Sequence, residues 1–375
     1  MLPRGPTVRS SLAPIASCKL KAADREHCPS LDEVLDVRTF TDGGQTAESV
    51  AAMAAAFVTQ ARVSLDFAMY DLALGERSRA ILSDALAAMR ARGVRMRLVY
   101  NRDQHGPIPV PPPATPDVDW VAPFAEVRAI AGIPSLMHQK YVIRDENAVW
   151  TGSTNWRDDA WTREENVVAV ASSPDLAMLY ARDFAQLWSH GVAGSGDVNV
   201  VPLELDGVTV RAWFCPGRAQ SLVHRIARAF GRARTRIRVA SPIVTAGALL
   251  GTLVEIASDG RVDLSGVLDA TQMREVAGQW DVQHRGWKRH LMSALLERAM
   301  FTGKPSTPYS PTSVHDFMHA KITVVDDTTF LGSYNLSHAG EENAENVLEV
   351  QDPALAARMA AFVDDIHTRY PRLML

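Results

Sequence analysis

Hydrophobic and polar residues follow two kinds of pattern that alternate along the chain. Apolar positions spaced three or four apart predict amphipathic helices, and short apolar or alternating stretches predict strands. The predicted elements of the first half are helix 46–60, strand 63–70, helix 77–92 and strand 94–100. Those of the second half are helix 220–230, strand 236–240, helix 246–257 and strand 262–268. Strands that alternate with helices indicate the α/β class.

Three short blocks recur at a nearly constant distance. Residues 137–145 and 318–326 both contain His-x-Lys-x4-Asp, residues 152–155 and 332–335 both read Gly-Ser-x-Asn, and Glu-Asn-Val occurs at 165–167 and at 345–347. The offsets are 181 residues from His138 to His319, 180 from Asn155 to Asn335, and 180 for the third block. Such agreement indicates an internal duplication.

The duplication divides the chain into four segments. The junction at 191–199 is rich in Gly, Ser and Asp, as linkers are. The predicted segments are an N-terminal extension 1–36, a first half 37–195, a linker 196–204 and a second half 205–375.

The repeated residue types suit phosphodiester chemistry. In a strand, residues i and i+2 point to one face, so His138 and Lys140 project together, as do His319 and Lys321. A neutral His can attack phosphorus while a protonated His supplies a proton to the leaving oxygen. The Lys and Asn side chains can hold the phosphoryl oxygens, so we expect neither a metal nor a cofactor.

Carboxylates complete each repeat. Glu165 and Glu345 can hydrogen-bond the far nitrogen of a His and fix its tautomer. Asp145 and Asp326 end their strands at predicted turns, which favours a structural role in bonding backbone amides or a nearby cation. Trp156 directly follows the first Gly-Ser-x-Asn and is interpreted either as a wall of the substrate entrance or as a core residue.

Both complete motifs resemble the phospholipase D superfamily, whose signature is His-x-Lys-x4-Asp followed by Gly-Ser-x-Asn. The resemblance implies an α/β pseudo-dimer of two α/β/α sandwiches with one active site at their interface. It also implies metal-independent phosphoryl transfer through phosphohistidine, with His138 as the favoured nucleophile. The residues that the resemblance assigns to catalysis are His138, Lys140, Asn155, Glu165, His319, Lys321, Asn335 and Glu345. Those that it places along the site are Ser153 and Ser333.

The substrate stays open between lipid and nucleic acid. A segment with five prolines at 105–115 and a segment with Trp, Arg and Lys at 279–309 flank the expected site. Aromatic and cationic side chains suit an anionic lipid surface and equally suit stacking on bases. We favour hydrolysis of phospholipids to phosphatidic acid. The alternatives are an endonuclease acting on DNA or RNA, and phosphatidyl transfer of the cardiolipin synthase type.

Composition narrows the remaining classes. The 375 residues are 47% hydrophobic and 22% charged with a net charge of −4, which argues against disorder and against a chain built to coat nucleic acid. Two of only six lysines follow the paired histidines. No apolar run approaches the ~18 residues of a membrane span, so we expect a soluble protein with at most peripheral membrane contact. We also expect the protein to function as a monomer. A cytoplasmic or an exported location, and a disulfide between Cys18 and Cys28, stay open.

Overall fold

The two halves are each built around a mixed β-sheet. The computed structural model describes residues 34–102, 116–132, 134–194, 196–310 and 312–375. Cys18, Cys28 and the proline-rich segment 105–115 lie outside the described residues, while Cys215 is a buried free thiol. Within the described part of the chain, no helix is both long and apolar enough to cross a membrane.

Helices and strands of the first half follow the predicted order. They are β1 Leu35–Phe40, α1 Ala47–Val58, β2 Ser64–Met69, β3 Leu72–Ala73, α2 Glu76–Ala91, β4 Arg95–Arg102, β5 Glu126–Ala131, β6 Lys140–Arg144, β7 Ala148–Gly152, β8 Trp156–Arg157, α3 Asp158–Arg163, β9 Asn166–Ser172 and α4 Pro174–His190.

The second half repeats this order with small differences. Its elements are β10 Leu203–Leu205, β11 Val208–Cys215, α5 Ala219–Arg232, β12 Arg236–Ser241, α6 Gly247–Asp259, β13 Asp263–Asp269, α7 Ala270–Val282, α8 Gly286–Arg298, β14 Met300–Lys304, β15 Ile322–Val325, β16 Thr328–Gly332, α9 His338–Glu342, β17 Glu345–Gln351 and α10 Pro353–Arg369.

Strand order and direction are the same in the two sheets, which confirms the duplicated α/β fold. The first sheet runs β1-β9-β7-β6-β2-β4-β5, and the second runs β11-β17-β16-β15-β12-β13-β14 with β10 added at the edge beside β11. In each sheet the first four neighbouring pairs are antiparallel and the last two are parallel. The parallel pairs require the crossover helices α2 and α6 that the sequence pattern predicts.

Hydrophobic cores lie on both faces of each sheet. One core packs α1 and α2 against the first sheet, and another packs α5, α6, α7 and α8 against the second. A third core contains buried residues of both sheets together with α4 and α10, for example Tyr141, Phe184, Ile322 and Val363. The two sheets therefore share one core at the seam between the halves, and this core fixes the sheets relative to each other.

Candidate active site

A cavity of about 280 Å³ at the seam brings the two repeats together. His138, Asn155, His319 and Asn335 all line it. Each histidine is tied to the opposite half through its backbone, since His138 N–H donates to Ala344 O at 2.9 Å and His319 N–H donates to the carbonyl of residue 165 at 3.1 Å. The two histidines of the repeat thus meet in one cavity, as the repeat predicts, and each is hydrogen-bonded to the opposite half.

The two lysines are buried next to their histidines. Lys140 Nζ donates to His138 O at 2.8 Å, and Lys321 Nζ donates to His319 O at 2.6 Å. Burial lowers the pKa of Lys140 to about 7. Burial together with repulsion from Lys140 lowers the pKa of Lys321 well below its ordinary value. Burial outweighs the nearby carboxylates Glu164 and Glu345 for both lysines, so an anionic ligand would stabilise their charged forms.

His138 has a carboxylate partner from the second half. Its Nδ1 lies 2.8 and 2.9 Å from the two oxygens of Glu345. Because a carboxylate only accepts, Nδ1–H donates and Nε2 keeps its lone pair. Burial outweighs this contact and lowers the pKa of His138 to about 4. The histidine is therefore neutral and oriented before any ligand binds.

His319 has a different pair of partners. Its Nδ1 lies 3.2 Å from Asn166 Oδ1 and 3.2 Å from Glu164 Oε2. Asn166 Nδ2 in turn donates to Glu164 Oε2 at 2.9 Å. Burial raises the pKa of Glu164 to about 7. Burial and the nearby cations Lys321 and Lys140 lower the pKa of His319 well below its ordinary value.

The Glu165 side chain does not contact the His319 imidazole, so the prediction for Glu165 is wrong. Its carboxylate accepts a hydrogen bond from Tyr370 at 2.6 Å and lies 3.7 Å from Lys304 Nζ. The side chain beside His319 belongs to Glu164, one residue earlier.

The register of the strands explains this error. Gly152 pairs with Val168, and Gly332 pairs with Val347, so the third blocks match at an offset of 179. The Glu-Asn-Val identity instead suggested an offset of 180, and one residue of slip turns a strand side chain to the other face. The sequence carried a usable signal, because Glu and Asn stand two apart as Glu164 and Asn166 in one half and as Asn343 and Glu345 in the other.

The glycines of Gly-Ser-x-Asn set this register. Gly152 and Gly332 have φ of 155° and 157°, and a Cβ on either would stand 2.1 or 2.2 Å from a carbonyl oxygen of the neighbouring strand. Only glycine fits both the backbone conformation and the close approach.

The serines that follow do not line the cavity, contrary to expectation. Ser153 Oγ donates to Asn166 Oδ1 at 2.7 Å, and Ser333 Oγ donates to Glu345 Oε2 at 2.5 Å. Both serines are fully buried and hold the side chain that faces a histidine. The two serines therefore contact the side chains that face the histidines, and they do not face the cavity.

Trp156 is a core residue and not a wall of the entrance. It is buried and packs edge-to-face on Phe67 and against Trp161, with ring centroids 6.0 and 6.2 Å apart. The preceding residue, Asn155, lines the cavity instead. The side-chain oxygens of Asn155 and Asn335 have no hydrogen-bond partner in the described residues, which leaves both amides available to a ligand.

Asp145 and Asp326 lie away from the cavity in equivalent turns. The Asp145 carboxylate accepts from the backbone N–H groups of Arg62, Val63 and Ser64 at 2.7 to 3.1 Å. Asp326 accepts from the N–H groups of residues 234 to 236 at 2.9 to 3.1 Å. Each carboxylate therefore fixes the start of a central strand, β2 or β12.

Several cavity residues were missed by the sequence reasoning. Tyr70 and Asp71 follow β2, Glu275 lies on α7, and Tyr309 and His315 lie in the segment after β14. None belongs to a repeated block, and only Tyr309 lies in a segment, 279–309, that the sequence places beside the site. Among the described residues, no cluster of three or more His, Cys, Asp or Glu side chains could hold a metal ion.

Known proteins resemble this chain along most of its length. The family model described as "Cardiolipin synthase, PLD-like domain" matches residues 55–188 and 226–366. Mitochondrial cardiolipin hydrolase of Homo sapiens is 25% identical over 140 residues, which are 35% of this chain and 47% of that protein. The match thus spans about half the length of that relative.

Two solved structures share the fold. Phosphatidylserine synthase of Haemophilus influenzae superposes with a TM-score of 0.63 at 11% identity, over 90% of this chain and 86% of that one. Polyphosphate kinase of Porphyromonas gingivalis superposes with a TM-score of 0.57 at 13% identity, over 94% of this chain and 50% of that one. With the family model matching both halves and the duplicated sheets meeting at one cavity, the chain belongs to the phospholipase D superfamily of enzymes that act on phosphodiesters.

Proposed function

We propose that the protein is a phospholipase D-type phosphodiesterase that hydrolyses phospholipids to phosphatidic acid through a phosphohistidine. The observation that carries the proposal is that His138 and His319, one from each half, line one cavity, each with the ammonium group of Lys140 or Lys321 hydrogen-bonded to its carbonyl. Burial lowers the pKa values of all four basic groups, and repulsion from neighbouring cations lowers those of His138, His319 and Lys321 further. A bound phosphoryl group is favoured because its negative charge offsets this repulsion.

In the first step His138 is the nucleophile. Its Nε2 lone pair forms the N–P bond while the bond from phosphorus to the leaving oxygen breaks, and protonated His319 gives its proton to that oxygen. Glu345 stabilises the positive charge that develops on His138, since it accepts from Nδ1. His319 suits the acid role because Glu164 lies beside its Nδ1 and can stabilise the protonated form once a phosphate is bound.

In the second step the same groups act in reverse. His319 takes a proton from water, the water oxygen bonds to phosphorus, and the N–P bond to His138 breaks. Lys140, Lys321, Asn155 and Asn335 hold the non-bridging oxygens through both steps. Positive charge thus comes from the chain's own lysines, and we expect full activity in the presence of EDTA.

An apolar approach to the cavity supports a lipid substrate. Val276 and Phe317 line the cavity, and α7 leads from it to an exposed tip where Val282 is 81% and Trp287 is 53% exposed. Large exposed apolar side chains beside a phosphodiesterase site suit the surface of a membrane.

Phosphatidyl transfer is the second candidate. The matching family model describes a cardiolipin synthase-like domain, and transfer needs only that an alcohol replace water in the second step. Supplying phosphatidylglycerol as acceptor separates the two, because transfer yields cardiolipin whereas hydrolysis yields phosphatidic acid.

A side-by-side assay tests the proposal. The purified protein is incubated with vesicles of phosphatidylcholine, phosphatidylethanolamine, phosphatidylglycerol or cardiolipin, and with single- and double-stranded DNA and RNA. We expect phosphatidic acid release from lipid, unchanged by EDTA, and a 32P-labelled phosphoenzyme that is stable to alkali and labile to acid. Cleavage of nucleic acid without lipid turnover would replace the proposal with a nuclease.

A further inference from the structure

His319 is held by two residues of the opposite half. Its Nδ1 lies 3.2 Å from Glu164 Oε2, and its N–H donates to the carbonyl oxygen of Glu165 at 3.1 Å. Glu164 and Glu165 directly follow α3, which ends at Arg163. The position of His319 relative to its carboxylate partner therefore depends on what fixes the end of α3.

Lys304, the last residue of β14, reaches the end of α3 from the second half. Its Nζ donates to the carbonyl oxygen of Arg163 at 2.6 Å. The ammonium group also lies 3.7 Å from Glu165 Oε1 and 3.5 Å from Asp42 Oδ2. The last carbonyl groups of a helix have no partner within the helix, so the lysine satisfies one of them at the residue directly before Glu164.

This contact between the halves is buried and has a second member. The Lys304 side chain is 3% exposed, and that of Glu165 is fully buried. Tyr370, directly after α10, donates its hydroxyl to Glu165 Oε1 at 2.6 Å. Removing one charged partner of a buried contact leaves the other without compensation. Lys304 and Tyr370 of the second half thus hold residues 163 and 165 of the first half.

The strand ends show which residue of the first half corresponds to Lys304. Asn101 and Asp269 each accept, at 2.9 and 3.0 Å, from the N–H of the methionine before a histidine of the repeat, so the two are equivalent. Asn101 pairs with Ile130 across parallel strands, as Asp269 pairs with Lys304. A buried isoleucine therefore takes the place of the buried lysine.

The residue that corresponds to Glu165 also lacks a charged side chain. Ala344 O accepts from the His138 N–H in the same way as Glu165 O accepts from the His319 N–H. Isoleucine and alanine make no ion pair, so the corresponding contact cannot form beside His138. The lysine contact thus distinguishes the two histidines.

Resting on the proposed function, we propose that Lys304 and Tyr370 are positioning residues for His319, the acid and base of the reaction. By holding the end of α3, they place the Glu164 carboxylate beside His319 Nδ1 and the Glu165 carbonyl against the His319 N–H. Neither Lys304 nor Tyr370 lines the cavity, so both act through the residues that contact His319.

Amide hydrogen exchange, measured by NMR, tests this role without any need for activity. Lys304→Met keeps a long side chain and removes the ammonium group, and we expect the His319 N–H to exchange about tenfold faster or more. The His138 N–H is the internal control and should exchange as in the wild type. Equal acceleration at both histidines would mean a general loosening of the fold and would contradict the assignment, as would unchanged exchange at His319.

A hydroxyl-removing variant covers the case in which Lys304→Met does not fold. Tyr370 is only partly buried, and Tyr370→Phe removes just the donor to Glu165. We expect the same selective acceleration at the His319 N–H, by a smaller factor because the lysine contact stays in place. An unchanged exchange rate in Tyr370→Phe would remove Tyr370 from the assignment, and with an unfolded Lys304→Met it would overturn the assignment as a whole.

Kinetics show whether the loss falls on the steps that need His319. A phosphatidyl ester of p-nitrophenol has a leaving group that needs no acid, so the burst of p-nitrophenol from Lys304→Met should keep its rate to within about twofold. Turnover of phosphatidylcholine needs His319 in both steps, and its kcat should fall about tenfold. A merely structural lysine would change the two rates by the same factor, and that result would contradict the assignment.

Lys288→Met is the matched control. Lys288 is also buried, at 7% exposed, and its Nζ donates to the carbonyl oxygen of Thr245 at 2.8 Å, but both residues belong to the second half. We expect this variant to keep the wild-type exchange at both histidines and the wild-type ratio of burst rate to turnover. A selective change at His319 in this control would show that loss of any buried lysine suffices, against the assignment.

The outcomes separate this assignment from the proposed function. If no vesicle yields phosphatidic acid, the phospholipase proposal fails, while hydrogen exchange still decides whether Lys304 holds His319. If phosphatidic acid is released but exchange at His319 is the same in Lys304→Met and the wild type, the phospholipase proposal stands and the positioning role is wrong.

Discussion

The two halves share their strand order, their His–Lys pairs and their glycine turns, yet they surround the two histidines differently. His138 faces Glu345 with Asn343 two residues before it, whereas His319 faces Asn166 with Glu164 two residues before it. The carboxylate and the amide have exchanged places between the halves. Duplication therefore supplies two similar imidazoles, and the exchanged partners give each imidazole its own electrostatic surroundings.

The two halves also differ in a buried polar network next to His138. Asp183 of α4 accepts from Gln139 at 3.1 Å and from Tyr141 at 2.8 Å, and Gln139 accepts from Asn346 at 2.6 Å. This network joins the segment that carries His138, directly before β6, to β17, which begins at Glu345.

The equivalent positions of the second half are apolar. Ala320 stands in the place of Gln139, Ile322 in that of Tyr141, Phe362 in that of Asp183, and Val167 in that of Asn346. A hydrogen-bonded network fixes geometry more narrowly than apolar packing does, so we infer that the His138–Glu345 pair is the more rigid one. Rigidity suits a nucleophile, while the acid must exchange protons with leaving group and water.

Replacing either histidine by alanine should have the largest effect on the reaction rate. We expect His138→Ala and His319→Ala each to lower the rate on phospholipid about a thousandfold or more, with circular dichroism unchanged. The two differ on a phosphatidyl ester of p-nitrophenol, whose leaving group needs no acid. His319→Ala should still release one equivalent of p-nitrophenol in a burst, and His138→Ala should not. A burst from His138→Ala alone would reverse the assigned roles.

Removing the Glu164 carboxylate beside His319 should lower the pKa of His319. Glu164 stabilises protonated His319 by its negative charge, so Glu164→Gln lowers the pKa of His319 further. We expect the basic limb of the kcat–pH profile to shift about one unit to lower pH. Glu165→Gln is the matched control one residue away and should leave the limb in place, because Glu165 contacts Tyr370. A shift in the control variant would contradict the observed strand register.

The two structural aspartates should behave alike. Asp145→Ala and Asp326→Ala each remove an acceptor of three backbone N–H groups, and we expect each to reduce the free energy of unfolding by about 1–3 kcal/mol. Urea denaturation measures the loss, and kcat at a temperature well below unfolding should stay the same. A large loss of kcat in a folded Asp145→Ala protein would instead give this residue a part in catalysis.

The network below His138 should make stability depend on pH. Burial raises the pKa of Asp183 to about 7, above its unfolded value, so native Asp183 keeps a proton that the unfolded chain loses between about pH 4 and 7. Stability from this group is therefore present at low pH and falls as pH rises through 7, by at most about 1.4 kcal/mol per pH unit.

Asp183→Asn removes that dependence. Urea titrations at pH 5, 6, 7 and 8 should show wild-type stability falling relative to the variant as pH increases. Asp84→Asn, on the exposed face of α2, serves as the control and should follow the wild type. A constant difference between wild type and Asp183→Asn at all four pH values would mean that Asp183 does not titrate in this range.

The sequence by itself determined the main helices and strands and the division of the protein into two similar halves. Apolar periodicity predicted α1, β2, α2 and β4 to within a few residues, and the repeated blocks predicted two equivalent α/β halves. These features could be read from one chain because the side-chain periods of helices and strands, and the backbone needs of glycine, are local properties.

Only the tertiary structure decided which side chains meet. The partner of His319 depends on a one-residue register between β7 and β9, and the partner of His138 comes from 207 residues away. Asp71, Glu275 and His315 enter the cavity from separate elements without any shared motif. Contacts of this kind arise from packing two sheets across one core, and no local pattern in the sequence records how the two sheets are placed relative to each other.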